Sequence, residues 1–355
     1  CYRLRAQNSS GYSPYSNESC GTTQTSTSSN SPAPGGVSVT TPTTSTTWYV
    51  NLTSAEKGVT LNDWMWYRGN DQGKKDLAVS GTAISTVILD FGQPWVQGGL
   101  QGTTGFPGYF TFLSTSEIQT AVWYYISGYY YGAGGTGSNS IAKILRVAVG
   151  TNNFNGATTN YVTSAHGQAW AQMVNTLNTW VNGNPTTLYG KILVYGANDI
   201  ETSYSSPSGA KSWVDGYKSA WISPSYLLNY GSANGCKTSG TTITPGSCND
   251  GWTQEDIQYV SWATAPSFPL PEIYSTAGGN AKQWQQLSLY SYLAHGNKMN
   301  IVGPLSQKAA CDLKGGCSGI DNTPNQAWTQ LWNALNSDTS TAQSLSFSTD
   351  IAWRK

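Results

Sequence analysis

The sequence predicts an α/β fold: a (β/α)8 TIM-like barrel preceded by a β-hairpin and an extended linker. Short apolar runs alternate with helical patterns from Trp48 onward. Eight strand signals fall within about 270 residues, the number such a barrel requires. The GxGxxG turn that usually follows the first strand of an open doubly wound sheet is missing.

Residues 1–20, CYRLRAQNSSGYSPYSNESC, alternate in strand fashion about a turn at Asn8-Ser9-Ser10-Gly11, which predicts a hairpin clamped by Cys1 and Cys20. Two strands alone are not stable in water, so they need either the rest of a module or another subunit's sheet. Residues 21–47 are Ser, Thr, Pro and Gly with no charge, a linker expected to be extended on its own. The barrel is assigned to residues 48–355. Its strands are expected at Ile84–Phe91, Lys143–Val149, Lys191–Ala197, Tyr226–Tyr230, Gln258–Ala263, Leu270–Tyr274, Asn300–Pro304 and Leu345–Ile351. Helices with capping residues are expected at Ser114–Ser127, Ser164–Val181, Pro207–Ala220, Thr253–Gln258, Asn280–His295 and Thr323–Asn336.

Composition narrows the function. Only 10% of the 355 residues are charged, and 18 basic side chains balance 18 acidic ones, so no basic field exists to hold nucleic acid. Six cysteines form three local pairs, Cys1 with Cys20, Cys236 with Cys248 and Cys311 with Cys317, which points to an oxidising, extracellular or cell-surface location. With no CxxC and two histidines, neither a metal nor a cofactor is expected. No apolar run is long enough to span a membrane. Asn8, Asn17 and Asn51 lie in glycosylation sequons. With no initiator Met and no signal peptide, the chain is expected to be a processed form or a fragment. The 15 Trp and 22 Tyr suit sugar rings as well as core packing.

The chemistry points to the strand ends. Asp199-Ile200-Glu201 follows the apolar run Lys191–Tyr195, and a side-chain period of two aims both carboxylates the same way. Carboxylates so close drive their pKa values apart, which yields an acid and a base from one residue type. Asp90 closes the first predicted strand and Glu272 lies in the sixth, so these four acids fall on one rim where barrel chemistry gathers. Asn152, Asn198, Asn229, Tyr230 and Trp95 are the candidate substrate-binding residues around them. Asp350, in the last strand, has no assigned side. Glu255 and Asp256 suit a helix N-terminus, and Asp321-Asn322-Thr323-Pro324 reads as a cap. His166 and His295 lie in helical segments away from the rim.

Two resemblances accompany these residues. The pattern Tyr2-Arg3-Leu4-Arg5-Ala6, Asn8, Gly11, Tyr12-Ser13 and Tyr15-Ser16-Asn17 resembles the last hairpin of a fibronectin type III domain. Asp90 in Leu-Asp-Phe-Gly and Asp199-Ile200-Glu201 resemble motifs of secreted glycoside hydrolases of the family-25 lysozyme type. That second resemblance implies Glu201 as general acid, Asp199 as the group that stabilises charge or orients substrate, and Asp90 as a supporting carboxylate. By this strand count the motif follows the third strand, whereas that family carries it on the fourth. The expected function is hydrolysis of a polysaccharide or cell-wall glycan by carboxylate acid/base chemistry. The alternative is a non-catalytic surface protein, glycan binder or filament subunit on a hydrolase-like barrel, self-assembling through residues 1–47.

Overall fold

Alternating β-branched and aromatic runs become parallel strands, and the capped amphipathic stretches between them become helices. The computed structural model describes residues 7–8, 11–12, 42–50, 59–81, 83–105, 111–155, 160–184 and 187–353. The chain divides into two compact units, Cys1–Thr40 and Thr41–Lys355. In the first, β1 (Gln7–Asn8) and β2 (Gly11–Tyr12) pair antiparallel, with Gln7 opposite Tyr12 and Asn8 opposite Gly11. Cys1, Cys20 and the linker up to residue 41 lie outside the described residues.

The second unit begins with β3 (Ser45–Tyr49), whose first three residues the sequence reading assigns to the linker. Next comes α1 (Leu61–Leu77), then β4 (Ile84–Asp90), and an antiparallel sheet of β5 (Gln93–Gln97), β6 (Leu100–Thr104) and β7 (Phe112–Ser114). The sequence predicts none of β3, α1 or this small sheet. The chain continues through α2 (Thr115–Gly132), β8 (Ile144–Asn152), α3 (Ser164–Asn182), β9 (Ile192–Asp199), α4 (Pro207–Ala220) and β10 (Leu227–Asn229). It ends with α5 (Gln254–Gln258), β11 (Ser267–Pro269), α6 (Gly279–His295), β12 (Leu305–Ser306), α7 (Lys308–Leu313), α8 (Pro324–Asn336) and β13 (Thr349–Trp353).

Eight strands form one parallel sheet in the order β11-β10-β9-β8-β4-β3-β13-β12. This corrects the expectation of a closed (β/α)8 TIM-like barrel: the sheet curves into a half-barrel whose edges, β11 and β12, share no ladder. They approach through the isolated bridge Glu272–Leu305 and bonds from Val302 N–H to Pro269, Leu305 N–H to Pro271 and Ile273 N–H to Leu305. Alternate residues of this edge, 269 and 271, face β12, and both are proline. Neither has an N–H to give, so a regular ladder cannot propagate. A second correction concerns Gln258–Ala263. It is not a strand: Thr253 and Asp256 form a capping box that starts α5, and a π-helical turn continues it over Tyr259–Ala263. Its apolar run reads equally as a short buried helix.

The concave side holds a core of Ile88, Ala148, Tyr195, Ala197, Leu228, Leu270, Leu305 and Ile351. On the convex side the helices dock by aromatic anchors. Trp170 Nε1 donates to the Val149 carbonyl at 2.9 Å, and Trp170, Trp213, Trp252 and Trp284 are fully buried. A carboxylate away from the strand ends, Asp76, accepts from Gln72 (2.7 Å), Ser85 (2.8 Å) and Tyr129 (2.7 Å) and ties α1 to β4 and α2. Disulfides Cys236–Cys248 and Cys311–Cys317 form as paired in sequence. They fit an extracellular protein. Among the described residues no helix is long and apolar enough to cross a membrane.

Candidate functional site

Alternation along the strands decides which side chains meet. From Ile88, Ala197, Leu228 and Leu270 in the concave core, a step of two residues leads to Asp90, Asp199, Tyr230 and Glu272, and a further step to Glu201 and Tyr274. Tyr49 of β3 joins the same face. Four acids thus gather at the carboxy-terminal end of the sheet, where βα loops can supply partners. β3 precedes β4, so Asp199 closes the fourth strand of the parallel sheet, not the third.

Asp199, Glu201 and Glu272 each present an oxygen within 4.8 Å of the other two. Asp199 and Glu201 are buried, and Glu272 is part-buried as a residue. Asn153, after β8, locks the turn behind Glu201: its Oδ1 accepts from the Glu201 N–H at 2.9 Å, and its Nδ2 donates to the Glu201 carbonyl at 3.0 Å. The loop after β10 passes so close that a Cβ on Gly231 would sit 2.2 Å from the Ile200 carbonyl oxygen. That approach brings Ser232 Oγ to 2.5 Å and Asn234 Nδ2 to 3.3 Å from Glu201 Oε2. The Cys236–Cys248 disulfide tethers the same loop.

Burial dominates the electrostatics. It pushes the Glu201 carboxyl above its usual range, while hydrogen bonds from Ser232, Glu272 and Asn234 act the other way. Glu272 is driven well up, first by burial and then by the charges of Glu201 and Asp199. The Glu201 and Glu272 carboxyls lie side by side, an oxygen of each within 4.8 Å, and repulsion between two charges so placed favours a proton on one of them. Asp199 is also held well above the carboxylate range by burial, Glu201 and Asp90. Its Oδ2 accepts from the Tyr49 hydroxyl at 3.2 Å, and its Oδ1 is buried without a partner. Burial raises Asp90 to about 7, although the Gly92 N–H donates to its Oδ1 at 2.7 Å. The tyrosines around the cluster, Tyr49, Tyr230 and Tyr274, are themselves raised by burial and the nearby acids, so they remain hydroxyl donors. Among the described residues none of the four acids pairs with a Lys, Arg or His.

The remaining expected site residues divide. Tyr230 is fully buried beside Asp90; its hydroxyl donates to the Thr151 carbonyl at 3.0 Å, and a Cβ on Gly150 would stand 2.7 Å from that hydroxyl. Asn152 shares the concave face by alternation, but its Oδ1 accepts from the Phe154 N–H at 3.0 Å in a local turn. Asn198 and Asn229 fall on the opposite face. Asn198 is buried with both amide atoms unpartnered, and Asn229 donates to Ser261 Oγ at 2.6 Å beneath the π-helical turn. Trp95 stands on the small antiparallel sheet with its ring 5.0 Å from that of Tyr161. Asp350 accepts from Ser306 Oγ at 2.6 Å and from the N–H groups of Lys308 and Ala309 at the start of α7. His166 is sealed between α3, α4 and β6: its Nε2 bonds to the Gly102 carbonyl at 2.8 Å, its Nδ1 accepts from Trp213, and burial lowers it to about 4.

Sequence reasoning missed Tyr49, Tyr274, Ser232 and Asn234. Tyr49 ends a Thr-rich strand that follows a Thr-rich linker, yet its β-branched and aromatic content is a strand signal. Tyr274 lies two residues past Glu272 in a predicted strand, so alternation alone places it on the rim. Ser232 and Asn234 sit on a loop with no periodic signal.

With its carboxyls raised by burial and mutual repulsion, this arrangement can keep a proton above the usual carboxylate range and deliver it to a bound oxygen. Asp199, Glu201 and Glu272 also offer three hard oxygen donors that can hold one divalent cation once ionised. Compared with known proteins, the sequence matches no protein-family model and no curated protein.

Proposed function

We propose that the protein hydrolyses a glycan, with the Glu201–Glu272 pair as proton donor and Asp199 beside it. The observation that carries this reading is the buried cluster of Asp199, Glu201 and Glu272 within 4.8 Å at the sheet's carboxy-terminal end. So short a separation leaves no room for the water that an inverting glycosidase places between its carboxyls, and it agrees with retention. Glu201 gives its proton to the glycosidic oxygen as the bond to the anomeric carbon breaks. Asp199, once it gives up its proton, faces the positive charge that develops there, and its Oδ1, without a hydrogen-bond partner among the described residues, accepts from a substrate group. Water then adds to the anomeric carbon on the face the leaving group has vacated, its proton passing to the Glu201 carboxylate, so the configuration is retained. The resemblance to family-25 lysozyme-type hydrolases supports the same roles, the more so because Asp199 closes the fourth strand.

The test is sugar release from a panel of polysaccharides that includes peptidoglycan and chitin, comparing wild type with Glu201→Gln and Glu272→Gln. Wild type is expected to release sugar, and each variant to lose about 10²–10⁴ in kcat with unchanged circular dichroism. A chelator should leave wild-type turnover unaltered. Turnover that depends on added calcium or magnesium would make the cluster a metal centre. A panel with no release from the folded wild type would favour the non-catalytic surface protein.

A further inference from the structure

The opposite end of the curved sheet holds a second polar element within an apolar cavity. Thr86 and Arg146 are register partners on β4 and β8, four residues before Asp90 and Gly150, or about 13 Å along the strands. Ile88, Ala148, Ala197 and Leu270 separate them from the carboxylates. A cavity of about 310 Å³ opens here, lined by Arg146, Thr86 and the rings of Tyr195, Tyr226, Phe268 and Phe347. That volume lies at the lower end of the range for small-molecule sites.

Arg146 is built into this cavity rather than left in solvent. Its Nε donates to the Tyr195 hydroxyl at 3.2 Å, and its guanidinium carbon lies 5.1 Å from the Phe347 ring centre. These two contacts hold the guanidinium against the cavity wall. Among the described residues no carboxylate pairs with it. A part-buried guanidinium without an anion is an unbalanced charge in an apolar setting. A second, independent sign is Thr86, which is 2% exposed and whose hydroxyl has no hydrogen-bond partner. A planar fork of donors matches a carboxylate, and surrounding aromatic rings match a flat apolar body.

We propose that this cavity binds a small aromatic carboxylate, its carboxylate on Arg146 and its ring among Tyr226, Phe268 and Phe347. The site is separate from the carboxylate cluster, so its failure leaves the glycan reading untouched.

Calorimetric titration of the full chain with phenylacetate tests it, with phenylacetamide and inorganic phosphate in parallel. Phenylacetate is expected to bind at least about tenfold more tightly than either. Arg146→Met should weaken it about tenfold or more, and Arg146→Lys less, because an ammonium keeps the charge without the fork. Thr86→Val should weaken it without altering the thermal midpoint. Undetectable binding of phenylacetate, equal affinity for the uncharged amide, or unchanged affinity in Arg146→Met would each overturn the proposal. Tighter binding of phosphate would overturn it in favour of an inorganic oxyanion site. The comparison of phenylacetate with phenylacetamide needs only wild-type protein, so it decides the matter even if a variant misfolds.

Discussion

A carboxyl with no exposed surface, such as Asp90, keeps its proton until about pH 7, whereas in the unfolded chain it ionises near 3.8. A folded pKa above the unfolded one gives stability that is complete below the unfolded pKa and lost as pH rises. The loss therefore runs from about pH 4 to about pH 7 and amounts to about 4 kcal/mol if no other group compensates. Asp90→Asn keeps an oxygen for the Gly92 N–H but cannot ionise. It should raise the urea midpoint at about pH 8 and flatten the decline of stability between about pH 4 and 7. An unchanged decline in the variant would show that the other acids carry it. At this scale much of the site is legible in sequence, because Asp90, Asp199, Glu201 and Glu272 all sit where a strand ends and alternate with apolar residues. The same alternation separates neighbours. Asn198 cannot share a face with Asp199, nor Asn229 with Tyr230, and proximity in sequence misleads for both.

Elements depend on how closely backbones approach. Helices α1 and α2 cross through glycines on both sides. A Cβ on Gly69 would lie 2.0 Å from the Tyr125 carbonyl oxygen, and one on Gly128 would lie 2.0 Å from that of Trp66. Neither backbone can yield as a flexible side chain would, so Gly69→Ala should cost about 3 kcal/mol and lower the thermal midpoint. Gly183→Ala is the control: φ is −68° there and the nearest contact is 3.4 Å, so stability should stay within about 0.5 kcal/mol. Equal effects in differential scanning would remove the packing explanation. The helices that the sequence predicted well carry an N-cap and a clean apolar stripe, as α4 does from Ser206 and α8 from Thr323. Helix α1 escaped because its buried positions include Gly69, Asn70, Gln72, Gly73 and Asp76, which no hydropathy pattern marks as inward.

For the whole molecule the open seam is the decisive feature. β4, β8 and β9 pair over long registers in the middle of the sheet, while β11 pairs only through Ser267–Pro269 and β12 only through Leu305–Ser306. Amide exchange should therefore be slowest in β4, β8 and β9. It should be faster at Val302, Leu305 and Ile273, whose amide hydrogen bonds cross the seam outside any ladder. Hydrogen exchange by mass spectrometry measures this directly, and uniform protection around the sheet would contradict an open edge. The seam lies beside Glu272, so the acid next to Glu201 rests on the least continuous part of the sheet.

By itself the sequence determined the α/β alternation, the capped helices, two of the disulfides and the four acids at strand ends. Each follows from local periodicity, capping chemistry or short loop closure. Only the tertiary structure decided that the sheet stays open. The missing N–H groups of Pro269 and Pro271 matter only once that strand lies at an edge facing β12. It alone also brought Glu201 beside Glu272, set Ser232 and Asn234 on Glu201, and left Arg146 at the far end with no carboxylate partner among the described residues. Those relations join residues distant in the chain, and burial shared between strands, which no single segment encodes, sets their energies.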